Sequence, residues 1–119
     1  MRDPIEPKIR AGNVYVFDVD ALIAGVIAFA AAGDALAIDI IAVPPRLQGM
    51  GIGTKLLRFA EASARARGCT ELRLFTNAAM TESLAWYARL GFERTREGIE
   101  DGYRRVYLRF ALPSERPIA

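Results

Sequence analysis

Between residues 43 and 57 the chain reads Val43-Pro44-Pro45-Arg46-Leu47-Gln48-Gly49-Met50-Gly51-Ile52-Gly53-Thr54-Lys55-Leu56-Leu57, and three of its ten glycines fall within five residues. Upstream, the apolar run Leu36–Val43 ends at Pro44-Pro45, because proline offers no ladder donor. Downstream, Leu56, Leu57, Ala60 and Ala64 recur at helical spacing over Thr54–Arg67, with Arg58, Glu61 and Arg65 on the other side. The segment therefore predicts a strand, a glycine turn and a helix. The first amides of such a helix have no intrahelical partner and carry the positive end of the dipole, so the turn is an anion site with phosphate as its natural ligand.

The spacing excludes two common phosphate loops. A P-loop has four residues between its glycine and Gly-Lys-Ser/Thr, whereas Gly49 and Gly53-Thr54-Lys55 leave three and bring the lysine one place late. A dinucleotide fingerprint is G-x-G-x-x-G, and here the pattern is G-x-G-x-G. A nucleotide-binding protein is thus a distant reading.

The remaining chain predicts an α/β (α+β) single domain with a mixed sheet of about six strands and two main helices. Val14–Asp18, Leu22–Ala31 and Leu36–Val43 read as strands joined by short turns at Asp20-Ala21 and Gly33-Asp34. The second and third are apolar enough to be covered on both faces. Leu72–Thr76 reads as a strand parallel to the third across a helical crossover. Thr81 or a neighbour caps a second helix closed by Gly91, and Phe92–Arg96 with Tyr103–Leu112 form a final hairpin across Gly98 and Gly102. Residues 1–13 read as an irregular arm, 14–112 as the domain and 113–119 as a tail.

Composition narrows the chemistry. With no histidine there is no Ser-His-Asp triad and no His-ligated zinc, and with one cysteine, Cys69, neither an internal disulfide nor a cysteine metal cluster. No metal is expected. A net charge of +2, with basic residues dispersed among acidic ones, does not argue for nucleic acid. The start Met1-Arg2-Asp3-Pro4 lacks the apolar run of a signal peptide, and Ala21–Gly33 is too short to span a bilayer, so the expected location is the cytoplasm.

Val43-x-Pro45-x-x-Gln48-x-x-Gly51-x-Gly53 resembles the acyl-CoA signature of the GNAT N-acetyltransferase family. A second element, Tyr87-Ala88-Arg89-Leu90-Gly91-Phe92, is similar to the family's helix-to-strand segment Tyr-x-x-x-Gly-Phe. The two motifs and the strand between them span about residues 36–112. The resemblance implies an enzyme that moves an acetyl group from acetyl-CoA to a primary amine, by direct attack in a ternary complex. It places the pyrophosphate on the turn formed by Gln48, Gly49, Met50, Gly51, Ile52, Gly53 and Thr54. It lays the pantetheine arm beside the backbone of Ile41 and Val43, with Ser83 standing where relatives often carry an asparagine.

Tyr87 matches the family's tyrosine that faces the sulfur and takes the role of general acid, and an amide near Val43 is the expected oxyanion donor. Asp39, an acid inside the apolar run Ile38–Ile41, is the candidate base, or else a carboxylate that orients substrate or is structurally paired. Asn77 reads as a turn residue or a cofactor contact, Trp86 as core or interface. Arg46 and Lys55 read as surface charges, and Cys69 as an inert thiol. The acceptor is a small-molecule or protein amine, and a homodimer through the final hairpin and Trp86 fits the pattern.

Length gives the resemblance an edge. Family members usually place a strand and two helices ahead of the strand that starts here at Val14, and those helices roof the acceptor side. Only thirteen residues precede Val14, too few for that unit at 1.5 Å per helical residue. A partner then supplies the roof, the site is open to a large substrate, or the domain is an acyl-CoA-binding or regulatory module with little transfer.

Overall fold

A computed structural model describes residues 7–11 and 14–112. The order is β1 (Pro7–Ala11), β2 (Val14–Val19), β3 (Leu22–Ala32), β4 (Ala35–Ala42), a 3₁₀ turn (Pro45–Leu47), α1 (Ile52–Ala66), β5 (Glu71–Asn77), α2 (Thr81–Leu90), β6 (Glu93–Glu100) and β7 (Tyr103–Ala111). The strands form one seven-stranded sheet in the order β1-β2-β3-β4-β5-β7-β6. All neighbours are antiparallel except β4 and β5.

The extra strand corrects the reading of residues 1–13 as an irregular arm. Pro7–Ala11 pairs with β2, and two residues separate it from Val14. The initial strand is therefore present, and what has no room between β1 and β2 is the pair of helices. The strand escaped the sequence reading because an edge strand is ordered by backbone pairing. A proline is tolerated there without any apolar alternation.

Among the described residues, two-residue turns join β2 to β3, β3 to β4 and β6 to β7. Asp101 and Gly102 have φ of 52° and 81°, the type I′ arrangement that Asp-Gly favours, and β6 runs past Gly98 to reach it. Asp20 and Ala21 adopt the same conformation, φ 52° and 64°, although Ala21 carries a Cβ. Left-handed backbone costs an L-residue about 1–2 kcal/mol, and part of that is offset by the greater unfolded-state entropy of glycine. Ala21→Gly is expected to stabilise the fold by about 0.5–1 kcal/mol, read as a higher urea midpoint at unchanged slope.

Both helices lie on one face of the sheet. Leu56, Leu57 and Ala60 of α1 and Leu84, Tyr87 and Leu90 of α2 share one core with Ile27, Phe29, Leu36, Leu72, Val106 and Phe110. Strand alternation sends Glu71, Arg73 and Phe75 of β5, and Arg105, Tyr107 and Arg109 of β7, to the other face. The expectation of two covered faces holds for β3, where Ala24, Ile27, Ala28 and Phe29 are all buried. It fails in β4, where Asp39 and Ile40 are exposed.

Two helix details also differ from expectation. Glu61 is buried, not on the outer face: Arg65 meets it at 2.9 Å and donates to the Leu112 carbonyl at 2.7 Å, so the end of β7 covers it. The N-cap of α2 is Met80, with no side-chain cap, while the Asn77 side chain accepts the Ala79 amide at 2.8 Å in a local turn. Gly68 and Gly91, with φ of 75° and 106°, close α1 and α2 as the sequence indicates.

Candidate active site

β4 and β5 pair only at Ala35, Leu36 and Ala37 with Glu71, Leu72 and Arg73. Beyond that point the two strands are unpaired, and the second half of β4 keeps a free edge on the β5 side. The end of that edge opens into a cleft of about 560 Å³. Ile41, Val43, Gln48, Gly49, Gly51, Ile52, Gly53, Thr54, Ser83 and Tyr87, all candidates from the sequence, line it together. Met50 is not among the lining residues and is 67% exposed.

The loop is shaped by two different glycine properties. Gly49 and Gly51 both have φ of 82°, and a Cβ on either would meet nothing, so they serve backbone conformation. Gly51 is the N-cap of α1, from which the helix amides emerge. Gly53 serves close approach, since a Cβ there would lie 3.0 Å from the Trp86 ring. The Gln48 side chain donates to the Val43 carbonyl at 3.0 Å, tying the turn to the end of β4.

The fit to acetyl-CoA can be judged from these parts. Open glycines at a helix N-terminus leave amides accessible to a pyrophosphate, and a free strand edge offers main-chain donors and acceptors to an extended arm. Gln48 occupies the Val43 carbonyl from the side and leaves the amides of β4 uncommitted to β5. The residues present fit the group.

Tyr87 is 5% exposed, with its ring against Trp86 at 4.9 Å and Phe92 at 5.4 Å. Desolvation pushes its phenol up from 10.0 to about 12. Tyr87 lines the cleft, and its hydroxyl makes no hydrogen bond within the described residues. Such a phenol stays protonated, so it has a proton to offer and is no base, although burial makes it a weaker acid than a free tyrosine.

Asp39 is not in this cleft. Ala28 pairs with Ile40 and Phe29 with Ile38, so Asp39 is the extra residue of a β-bulge. It is exposed and lines a second cavity on the other face. The apolar run around it suggested burial, but the bulge turns it out to solvent. The cleft also takes Glu82, Trp86 and Arg89, which the sequence reading did not assign to it. Their spacing along α2 with Ser83, at i, i+4 and i+7, was the available signal. Arg46, Lys55, Asn77 and Cys69 lie outside both cavities.

Among the described residues no helix is long and apolar enough to cross a membrane, and no group of His, Cys, Asp and Glu could hold a metal ion. Comparison with known proteins agrees with the geometry. An acetyltransferase of Agrobacterium fabrum is 32% identical over 103 residues, covering 79% of this chain and 74% of the relative. The structure of an IAA acetyltransferase from Bacillus cereus superposes with a TM-score of 0.72 at 30% identity, over 83% of this chain and 77% of that one. A GNAT acetyltransferase from Elizabethkingia anophelis, solved with acetyl-CoA bound, shares the fold with a TM-score of 0.73 at 23% identity, over 83% and 75% of the two chains. Residues 4–92 match the acetyltransferase (GNAT) family profile, and the chain belongs to that family of acetyl-CoA-dependent N-acetyltransferases.

Proposed function

We infer that the chain passes an acetyl group directly from acetyl-CoA to a primary amine while both are bound. The observation that carries this reading is the single free edge of β4. The cleft meets it at Ile41–Val43, and the cavity on the opposite face meets it at Ile38 and Asp39. One ligand can approach from each side of the sheet.

Acetyl-CoA, when bound, supplies a thioester carbonyl open to attack. The chain's part begins at Gly49–Thr54, whose amides hold negative charge at the N-terminus of α1. The edge of β4 at Ile41 and Val43 orients an extended arm, which Ser83 borders from α2. An amide near Val43 donates to the oxygen on which charge develops. Tyr87 holds the proton that a departing thiolate needs. Asp39, free of partners among the described residues, receives the amine and takes its proton. Cys69 is not in the cleft, which favours direct attack over an acetyl-enzyme.

Initial rates with acetyl-CoA and amine varied together test this order of events. Intersecting double-reciprocal lines are expected. Parallel lines would indicate an acetyl-enzyme and contradict direct attack. The lack of room for roofing helices between β1 and β2 supports one other reading, a binding module, which predicts cofactor binding without amine-dependent release of thiol.

A further inference from the structure

Two breaks in the sheet ladders turn toward one cavity. Asp39 is the unpaired residue of the β3–β4 ladder. In the β6–β7 ladder Arg94 pairs with Leu108 and Arg96 with Tyr107, which leaves Thr95 unpaired. One-residue bulges re-aim side chains and cluster beside active sites. Asp39, Thr95 and Arg96 all line the same space of about 470 Å³, on the sheet face away from the helices. That is the size of a small-molecule pocket.

The charges lining it are not equally occupied. Glu71 meets Arg73 at 2.5 Å and Arg109 at 3.5 Å, and Glu93 meets Arg109 at 3.3 Å, so both cations have carboxylate neighbours, although the buried Arg109 Nε has no hydrogen-bond partner. Arg96 is the lining cation held on an aromatic ring. Its guanidinium lies over the Tyr107 ring, 3.8 Å from the centroid, and makes no hydrogen bond within the described residues. The carboxylate near it, that of Glu100 at 3.9 Å, is already engaged by Arg105 at 2.8 Å and by the Tyr107 hydroxyl. Asp39 has no ion pair or hydrogen bond among the described residues. The cavity therefore offers one uncommitted carboxylate, on the β4 edge, and guanidinium donors to spare, those of Arg96 on β6 and the buried Nε of Arg109 on β7.

We propose that this cavity selects a small amine that also carries a carboxylate, with the amine at Asp39 and the carboxylate on Arg96. This rests on the transferase reading, because the amine end is assigned by the β4 edge. Tyr107 holds the guanidinium flat, so its fork is presented as a planar, two-pronged donor that matches a carboxylate. A neutral or purely cationic amine leaves that fork unused.

The test measures binding to the protein loaded with CoA, by calorimetry. The probes are amino carboxylates from glycine to 6-aminohexanoate and 4-(aminomethyl)benzoate, each against its own carboxamide. A charge-assisted hydrogen bond predicts that at least one carboxylate binds about 10- to 100-fold tighter than its carboxamide. R96Q is expected to bring that ratio close to one, and D39N to weaken acid and amide together. Arg96 is 63% exposed along its side chain, so R96Q should fold, and circular dichroism checks it. Equal binding of every pair, or a preference that survives R96Q, overturns the proposal. Thiol release with the same probes separates the two readings. Transfer to carboxamides as fast as to acids contradicts the selectivity and leaves the transferase standing. Arg96-dependent binding with no transfer supports the selectivity and contradicts the transferase.

Discussion

Tyr87→Phe is expected to lower turnover by about 100-fold, the lower end of what a positioned proton donor contributes, while acetyl-CoA affinity stays nearly unchanged. The ring is what packs, against Trp86 and Phe92, and phenylalanine keeps it. The hydroxyl makes no hydrogen bond within the described residues, so its removal leaves no protein group unpaired. The loss then falls on kcat, with the acetyl-CoA Kd from calorimetry as control. A Kd that collapses with kcat would make Tyr87 a packing residue. The pH profile gives a second check. With burial holding the phenol near 12, the rate has no falling limb near 10.0, where an ordinary tyrosine loses its proton.

Gly51→Val should have the largest effect on the cofactor. The backbone at Gly51 has φ of 82°, which a β-branched residue rarely adopts, although its Cβ would meet nothing. The chain then either bears about 1–2 kcal/mol of strain or rotates the loop to negative φ. Rotation turns the first amides of α1 away from the cleft. Losing charge-assisted bonds worth about 2 kcal/mol weakens acetyl-CoA about 30-fold, with a melting temperature lower by about 5 °C. Thermal shift and calorimetry report the two separately. A lower melting temperature with unchanged affinity would reduce the glycine to a conformational role and remove the anion cradle.

What the sequence disclosed was what local chemistry decides. Prolines ended β4 near the expected place, Gly68 and Gly91 closed both helices, and the glycine spacing marked the turn that now lines the cleft with Ser83 and Tyr87. What it concealed depends on neighbours far along the chain. β1 exists because β2 offers it a backbone ladder, and nothing in its side chains announces that. Asp39 looked like a buried acid because its neighbours along the run are apolar, whereas it is the extra residue of a bulge and is exposed. Glu61 looked solvated because the end of β7 and Arg65, which cover it, come from outside its own helical turn. Trp86 read as core or interface. Its side chain does pack against the core, and its ring also lines the cleft and explains why residue 53 is glycine.

On the proposed function, this small sheet delivers an acetyl group across the open edge of β4 to an amine on the other side. Mass spectrometry of amines incubated with acetyl-CoA, with and without the protein, tests it most directly when free CoA thiol is counted in the same samples. N-acetylated amine and free thiol are expected in equal amounts, both dependent on protein and both depressed by Tyr87→Phe. Acetyl-CoA bound by the protein, with no acetylated amine above the protein-free reaction for any acceptor, would contradict it.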